Sequence, residues 1–347
     1  MTPFSLLVPT FNRAALLRRL LSYYRTARFT YPIIIADSSP EDVLCENRDT
    51  IARCPELHIT HRTFDQSIET FQKITEAAGS SDSDTIGLCS DDDFIATGAP
   101  ARAVRFLSRH QEYVAVQGRS FIADVARIPI TLSAFPQRSV HAEMATDRLR
   151  SYFHDATANV YAVHRTSTFI DILARIARFR TDNTRFEELA ISGLGAIHGN
   201  IAVLNSLHLV RQSSRNRADS GSRLTGGWRQ AAESESFPRN KELFREMLSE
   251  ALAEHSVETN VARKLVLECF DSYLEGKLRP APIGEPRSIQ ERATAMMLSP
   301  DQGRLRPVRR IAATFMRTSP AMQTLSKEYA PIEQLISQYP DGISTPV

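Results

Sequence analysis

The 347-residue chain is short of several things that define whole classes of protein. It has four cysteines, Cys45, Cys54, Cys89 and Cys269, none in a C-x-x-C pair, so neither a disulfide framework nor a thiolate zinc site is expected. Scattered free thiols fit a reducing compartment. No apolar run approaches the roughly 20 residues that span a bilayer, and Met1-Thr2-Pro3-Phe4 does not open a signal peptide. The expectation is a cytoplasmic protein. Formal net charge is only +2, so no global positive field is available for phosphate backbones, and nucleic acid is not an expected partner. Fourteen glycines form no phosphate-binding loop: G-x-x-x-x-G-K-[ST] and G-x-G-x-x-G are absent, and Gly193-Leu194-Gly195 falls inside a helical pattern. G-x-S-x-G and H-E-x-x-H are absent too.

What is present is a strand–helix alternation over the first 120 residues. Phe4–Val8 reads as a buried strand broken by Pro9. Asn12 is placed to cap a helix carrying Leu16, Leu17, Leu20, Leu21 and Tyr24. Tyr31–Ala36 is a second strand ending at Asp37-Ser38-Ser39-Pro40, Leu57–His61 a third, and Thr85–Cys89 a fourth. Helices are expected between them and over 101–109, followed by a strand at Tyr113–Gln117. Such a rhythm means βαβ units in a mostly parallel sheet with helices on both faces. The stretch 123–150 has no clear pattern. A strand is expected at Asn159–His164, helices at 167–178 and 185–197, and one or two short strands over 201–211. Beyond a loop-like segment at 213–230 the chain reads as helical. The division drawn is 1–215, with a first half to 120, and a helical extension over 216–347.

Open α/β sheets bind ligands at the carboxyl ends of their strands. Three polar clusters fall at such ends: Thr10–Arg13, Asp37–Ser39 and Asp91-Asp92-Asp93. Three adjacent carboxylates in a cleft repel one another unless a cation relieves them, and Mg²⁺ or Mn²⁺ typically takes one or two carboxylates plus phosphate oxygens. The plainer alternative for the triplet is a solvated turn with a helix cap. The coincidence of the three clusters points to a nucleotide-type ligand.

In order and spacing, Leu7-Val8-Pro9-Thr10-Phe11-Asn12-Arg13, then Ile33-Ile34-Ile35-Ala36-Asp37-Ser38-Ser39, then Asp91-Asp92-Asp93 resemble the donor half of GT-A-fold glycosyltransferases, family 2 and its bacterial surface-glycan relatives in particular. The likeness covers about 3–110, and 155–211 more weakly. It implies an α/β GT-A (Rossmann-like) fold. It also implies transfer of a sugar from a nucleotide-sugar to a hydroxyl on a glycan, lipid-linked or protein acceptor, with inversion and with Mn²⁺ or Mg²⁺. By the same resemblance Pro9, Thr10, Asn12 and Arg13 line the nucleotide pocket with Asp92, and Asp37 binds the base. Asp91 and Asp93 hold the metal, and Lys73 faces the donor, where relatives more often carry Arg followed by Asn. A solvated helix-face lysine is the other reading of Lys73. Phe64-Asp65-Gln66 departs from the usual Gly-containing loop.

Relatives carry Glu-Asp at a helix start with Gly eleven residues on. Here Glu187-Glu188 precedes Gly199 by that spacing, which puts Glu188 in the place of the general base, with Glu for Asp. A pair of solvated helix glutamates is the alternative. His208 is a candidate late metal ligand or a core histidine, and Arg211-Gln212 a candidate pyrophosphate contact. Asp155 is a candidate acceptor contact. In 302–327, Arg304, Arg306, Arg309, Arg310, Arg317 and Lys327 interleave with Ile311, Phe315 and Met316. Packing on the catalytic domain or an oligomer contact is the expected use, and peripheral contact with an anionic inner-membrane face the alternative. A sugar nucleotidyltransferase fits the fold less well, since Pro9–Arg13 has no glycine-rich loop. A non-catalytic nucleotide- or glycan-binding scaffold would keep the cleft without turnover.

Overall fold

The computed structural model describes residues 3–125, 130–135, 137–154, 159–213, 227–278 and 320–340. Asp155 and the basic positions 304–317 lie outside them. Nine strands form one sheet: β1 Ser5–Thr10, β2 Ile33–Asp37, β3 Ile59–Thr63, β4 Thr85–Leu88, β5 Phe94–Ile95, β6 Tyr113–Asp124, β7 Thr131–Phe135, β8 Val163–Arg165 and β9 Asn200–Ser213. The helices are α1 Ala14–Thr26, α2 Glu41–Ala52, α3 Thr70–Ala78, α4 Ala99–Arg109, α5 Ala145–His154, α6 Thr166–Phe179 and α7 Thr184–His198. They continue with α8 Trp228–Ala232, α9 Phe237–Glu254, α10 Thr259–Leu278 and α11 Pro320–Gln338.

The sheet order is β3-β2-β1-β4-β8-β6-β9-β5, with β7 paired to β6. From β3 to β4 every pairing is parallel, as the βαβ rhythm requires. Past β4 the sheet becomes mixed: β8 runs antiparallel to β4 and β6, β9 runs parallel to β6, and β5 runs antiparallel to β9. The patternless stretch 123–150 holds β7 and α5, and 201–211 lies in one long strand rather than two short ones.

Central strands buried on both faces alternate their side chains between two cores. Leu7, Ile34 and Ala36 face a core built with α3, α5, α6, α7, α9 and α10. Leu6, Val8, Ile33 and Ile35 face the other, built with α1, α4 and α11 through residues such as Leu17, Leu20, Leu107 and Ile332. The helices of 227–278 are thus part of a core that begins at β1. Gly193, in the middle of α7, marks how closely α9 approaches: a Cβ there would lie 3.0 Å from Leu248 Cδ2.

Pro9 does not stop β1. Leu6 N–H bonds toward β2 and Leu7 C=O toward β4, so alternation turns the Pro9 nitrogen to the β4 side. There the ladder has already ended at Leu7↔Leu88, and no hydrogen bond is lost. Nor does Asn12 cap α1. Arg13 is the N-cap residue, and exposed Asn12 takes a left-handed φ of 54°, which Asn tolerates better than most residues. Its backbone N–H donates to Ser39 Oγ at 2.9 Å, tying the β1 loop to the β2 loop.

Candidate active site

A cleft of about 280 Å³ opens over the carboxyl ends of β1 and β4, walled by the start of α3, the start of α7 and the end of β9. Pro9, Thr10, Arg13, Lys73, Asp91, Asp92, Asp93, Glu188 and Arg211 all line it. Of the residues singled out from the sequence, Asn12, Asp37, Glu187 and His208 stand outside the lining.

The acidic loop is held from both sides. Arg13 Nη1 donates to Asp91 Oδ1 at 2.6 Å and Nη2 to Asp92 Oδ2 at 2.8 Å, while Thr10 Oγ1 donates to Asp91 Oδ2 at 2.8 Å. On the far side, Gln212 N–H donates to Asp93 Oδ1 at 2.9 Å and Arg211 Nε to Oδ2 at 3.3 Å. This second clamp exists because β5, directly after the triplet, pairs with β9 through Phe94↔Val210. Asp91 and Asp93 are both about 98–99% buried. Burial pushes the carboxyl pKa of each above the ordinary range. Arg13 opposes that rise at Asp91; at Asp93 the neighbouring Asp92 adds to it and Arg211 opposes it.

Lys73 is not the solvated helix-face lysine of the alternative reading. It is buried on α3, and its ammonium donates to Thr10 C=O and Ser38 Oγ, each at 2.8 Å. Burial lowers its pKa to about 8, with Asp37 and Asp91 pulling the other way. Asp37 lies beneath the cleft rather than on it. Its fully buried carboxylate accepts from Ser39 N–H, Asn47 Nδ2 and His61 Nε2. These bonds outweigh the burial penalty and hold its pKa below the usual value. Its visible work is to shape the Ser38–Ser39 turn that supports Lys73 and the β1 loop.

His208 does not turn toward the acids. It is buried on β9, its pKa drops to about 4 through burial, and its Nε2 lies 2.6 Å from the Tyr161 carbonyl, an oxygen that can only accept. The neutral ring therefore fixes the Tyr161 segment. Among the described residues no three His, Cys, Asp or Glu side chains gather as a metal-binding set. Two carboxylates with phosphate oxygens still suffice for Mg²⁺ or Mn²⁺, and two desolvated, mutually repelling carboxylates suit such an ion.

Glu188 stands on the first turns of α7, whose N-cap Asn183 accepts from Arg185 N–H. Glu187, its neighbour, points off the cleft lining, as a 100° step per residue requires. Tyr161 is a contributor that the sequence does not single out. Tyr161 carries no motif, yet its hydroxyl pairs with Ser90 at 2.9 Å and its ring lies 5.0 Å under the Arg211 guanidinium. Gln212, beside Arg211, contributes a backbone N–H to Asp93, a group invisible in any sequence.

No protein-family model matches the chain, and no curated protein matches it in sequence. Solved structures do. S. aureus TarS (residues 1–349), a GT-A glycosyltransferase, matches with a TM-score of 0.54 at 13% identity, over 98% of this chain and 92% of that one. Its complex with UDP-GlcNAc matches at 0.56 and 14% identity with the same coverage, and its complex with UDP at 0.54 and 13%. Identities this low speak to backbone architecture alone, and with the sheet order and helix layers above they establish that this chain has the GT-A fold.

Proposed function

We propose that the protein is a glycosyltransferase that moves a sugar from a nucleoside-diphosphate donor to a hydroxyl acceptor with inversion. The observation that carries this reading is that Glu188, the acidic loop, Arg13 and Arg211 line one cleft. A carboxylate and a cationic, acid-rich floor are the two parts such a reaction needs. The acceptor oxygen forms its bond to the anomeric carbon from the face opposite the nucleotide, and the bond from that carbon to the diphosphate oxygen breaks. Glu188 takes the acceptor proton. The electron pair leaves on the diphosphate, where Arg13 and Arg211 supply positive charge. Glu is one methylene longer than Asp, which extends the reach of the base from α7.

Asp91 and Asp93 are the residues that would hold Mn²⁺ or Mg²⁺. Bound there, the ion would neutralise charge on the donor diphosphate. The UDP-GlcNAc and UDP complexes of TarS support a uridine diphosphate sugar as the first donor to try. The acceptor class, bacterial surface glycan included, rests on the sequence resemblance. Among the described residues no helix is long and apolar enough to cross a membrane.

The test is thermal stabilisation by UDP, GDP, dTDP and CMP, each with and without Mn²⁺. At 100 times its dissociation constant a ligand adds about 2.7 kcal/mol, large enough to resolve. A shift with one nucleotide, followed by NMR of the product's anomeric configuration with the matching sugar donor, is the expected result. No shift with any of the four overturns the reading.

A further inference from the structure

The acidic loop has a second set of attachments, which the sugar-transfer reading does not use. Arg19, in the middle of α1, is fully buried. Its Nη1 donates to the carbonyls of Tyr339 at 3.0 Å and Pro340 at 2.8 Å, in the turn that follows α11. Its Nη2 donates to the Asp92 carbonyl at 3.2 Å, and the guanidinium lies 5.1 Å over the Phe94 ring, just past the triplet. Gln212 bridges the same two places. Its backbone N–H holds Asp93 Oδ1, and its side-chain Nε2 donates to the Pro340 carbonyl at 2.7 Å. Its amide oxygen is buried without a partner among the described residues, and Gln212 itself lines the cleft.

A buried guanidinium is costly unless its donors are satisfied, so the Tyr339 and Pro340 carbonyls are part of what keeps Arg19 in place. The turn is itself held by α11. Leu325, Tyr329, Ile332 and Ile336 are buried in the core shared with α1, and Glu328 pairs with Arg102 at 2.6 Å. One turn, more than a hundred residues away in sequence, is thus bonded to Arg19 and to Gln212, each of which also bonds the acidic loop.

We infer that Arg19 and Gln212 are positioning residues through which the turn after α11 sets the placement of Asp92 and Asp93, so that docking of α11 and binding of the donor diphosphate are energetically coupled. The inference rests on the donor reading of the cleft. Pro340 holds the Gln212 side-chain amide, and the Gln212 backbone N–H holds Asp93 Oδ1. Arg19 holds the backbone at Asp92, between Asp91 and Asp93. Coupling of this kind is reciprocal: if the turn favours the ligand, the ligand must favour the turn by the same factor.

Reciprocity gives the test, made on the full chain with UDP and Mn²⁺ as probe. UDP is expected to slow amide exchange in a peptide covering 332–340, which does not line the cleft. Gln212→Glu places a carboxylate against the Pro340 carbonyl. It is expected to abolish that protection and to weaken UDP by about fivefold or more, with donor KM rising more than kcat falls. Arg19→Lys, which keeps the charge but loses the fork, is expected to do the same. Calorimetric UDP binding with unchanged exchange at 332–340 overturns the coupling, and the wild-type chain alone decides this. Variants that fold and bind UDP like wild type overturn it too. A wild-type chain that binds no nucleoside diphosphate overturns instead the donor reading on which it rests.

Discussion

Glu188 is half-buried and Lys73 buried, and each makes a distinct prediction. Glu188→Gln keeps the size and the helix but cannot take a proton, so kcat should fall by about 10²–10⁴ while UDP affinity, read by calorimetry, stays within about twofold. Equal losses in both would remove Glu188 from the role of base. Lys73 has its folded pKa lowered to about 8, against 10.5 for the free side chain. As pH rises through 8, the folded protein loses a positive charge beside Thr10 and Ser38. UDP affinity should therefore fall between pH 7 and 9 in wild type and stay flatter in Lys73→Arg. The stability effect has the other sign. Between about 8 and 10.5 the unfolded chain binds more protons than the folded one, so this group makes folding more favourable as pH rises through that window. Asp93→Asn should cost Mn²⁺-dependent nucleotide binding while leaving the Gln212 N–H bonded to an amide oxygen, which a metal titration would register. Arg13, Thr10 and the acids were recognisable from motif order. The burial of Lys73 and the inward role of Asp37 were not, because they depend on what α3 and β3 place around them.

At the scale of elements, the position of the candidate base depends on an aromatic anchor. Phe186, one turn into α7, is fully buried against Trp228, Phe237, Phe244 and Phe270, with ring centroids 5.3–5.7 Å away. Those partners come from α8, α9 and α10. Phe186→Ala should destabilise the protein by about 3–5 kcal/mol in chemical denaturation. Below the melting transition it should also lower kcat more than it weakens UDP, since α7 carries the candidate base Glu188 and not Arg13 or Arg211. Helix α1 was legible because Leu16, Leu17, Leu20, Leu21 and Tyr24 follow a 3.6-residue period. The element that completes the site was less so: β5 is a two-residue strand whose only identity is its pairing with β9. No local pattern encodes that pairing.

For the whole molecule, one sheet separates two cores, and both chain ends of the described structure contribute to them. Trp228, the single tryptophan, sits in the core built from α7 to α10. Because that core continues into β1, β2 and α3, tryptophan fluorescence and far-UV circular dichroism should report coincident denaturant transitions. An earlier fluorescence transition would mean that 227–278 unfolds as its own unit. The sequence by itself determined the βαβ rhythm, the two-faced burial of β1 and β2, and the three polar clusters at strand ends. Those are consequences of side-chain periodicity and of turn residues a few positions apart. Only the tertiary structure decided that Arg211 and Gln212 close on Asp93, that His208 turns to Tyr161, and that a turn at Tyr339–Pro340 reaches under the acidic loop. Each of these is a hydrogen bond across 47 to 321 residues, two of them to backbone carbonyls. A carbonyl has no side-chain identity, so its partners come into view only when the chain is folded around them.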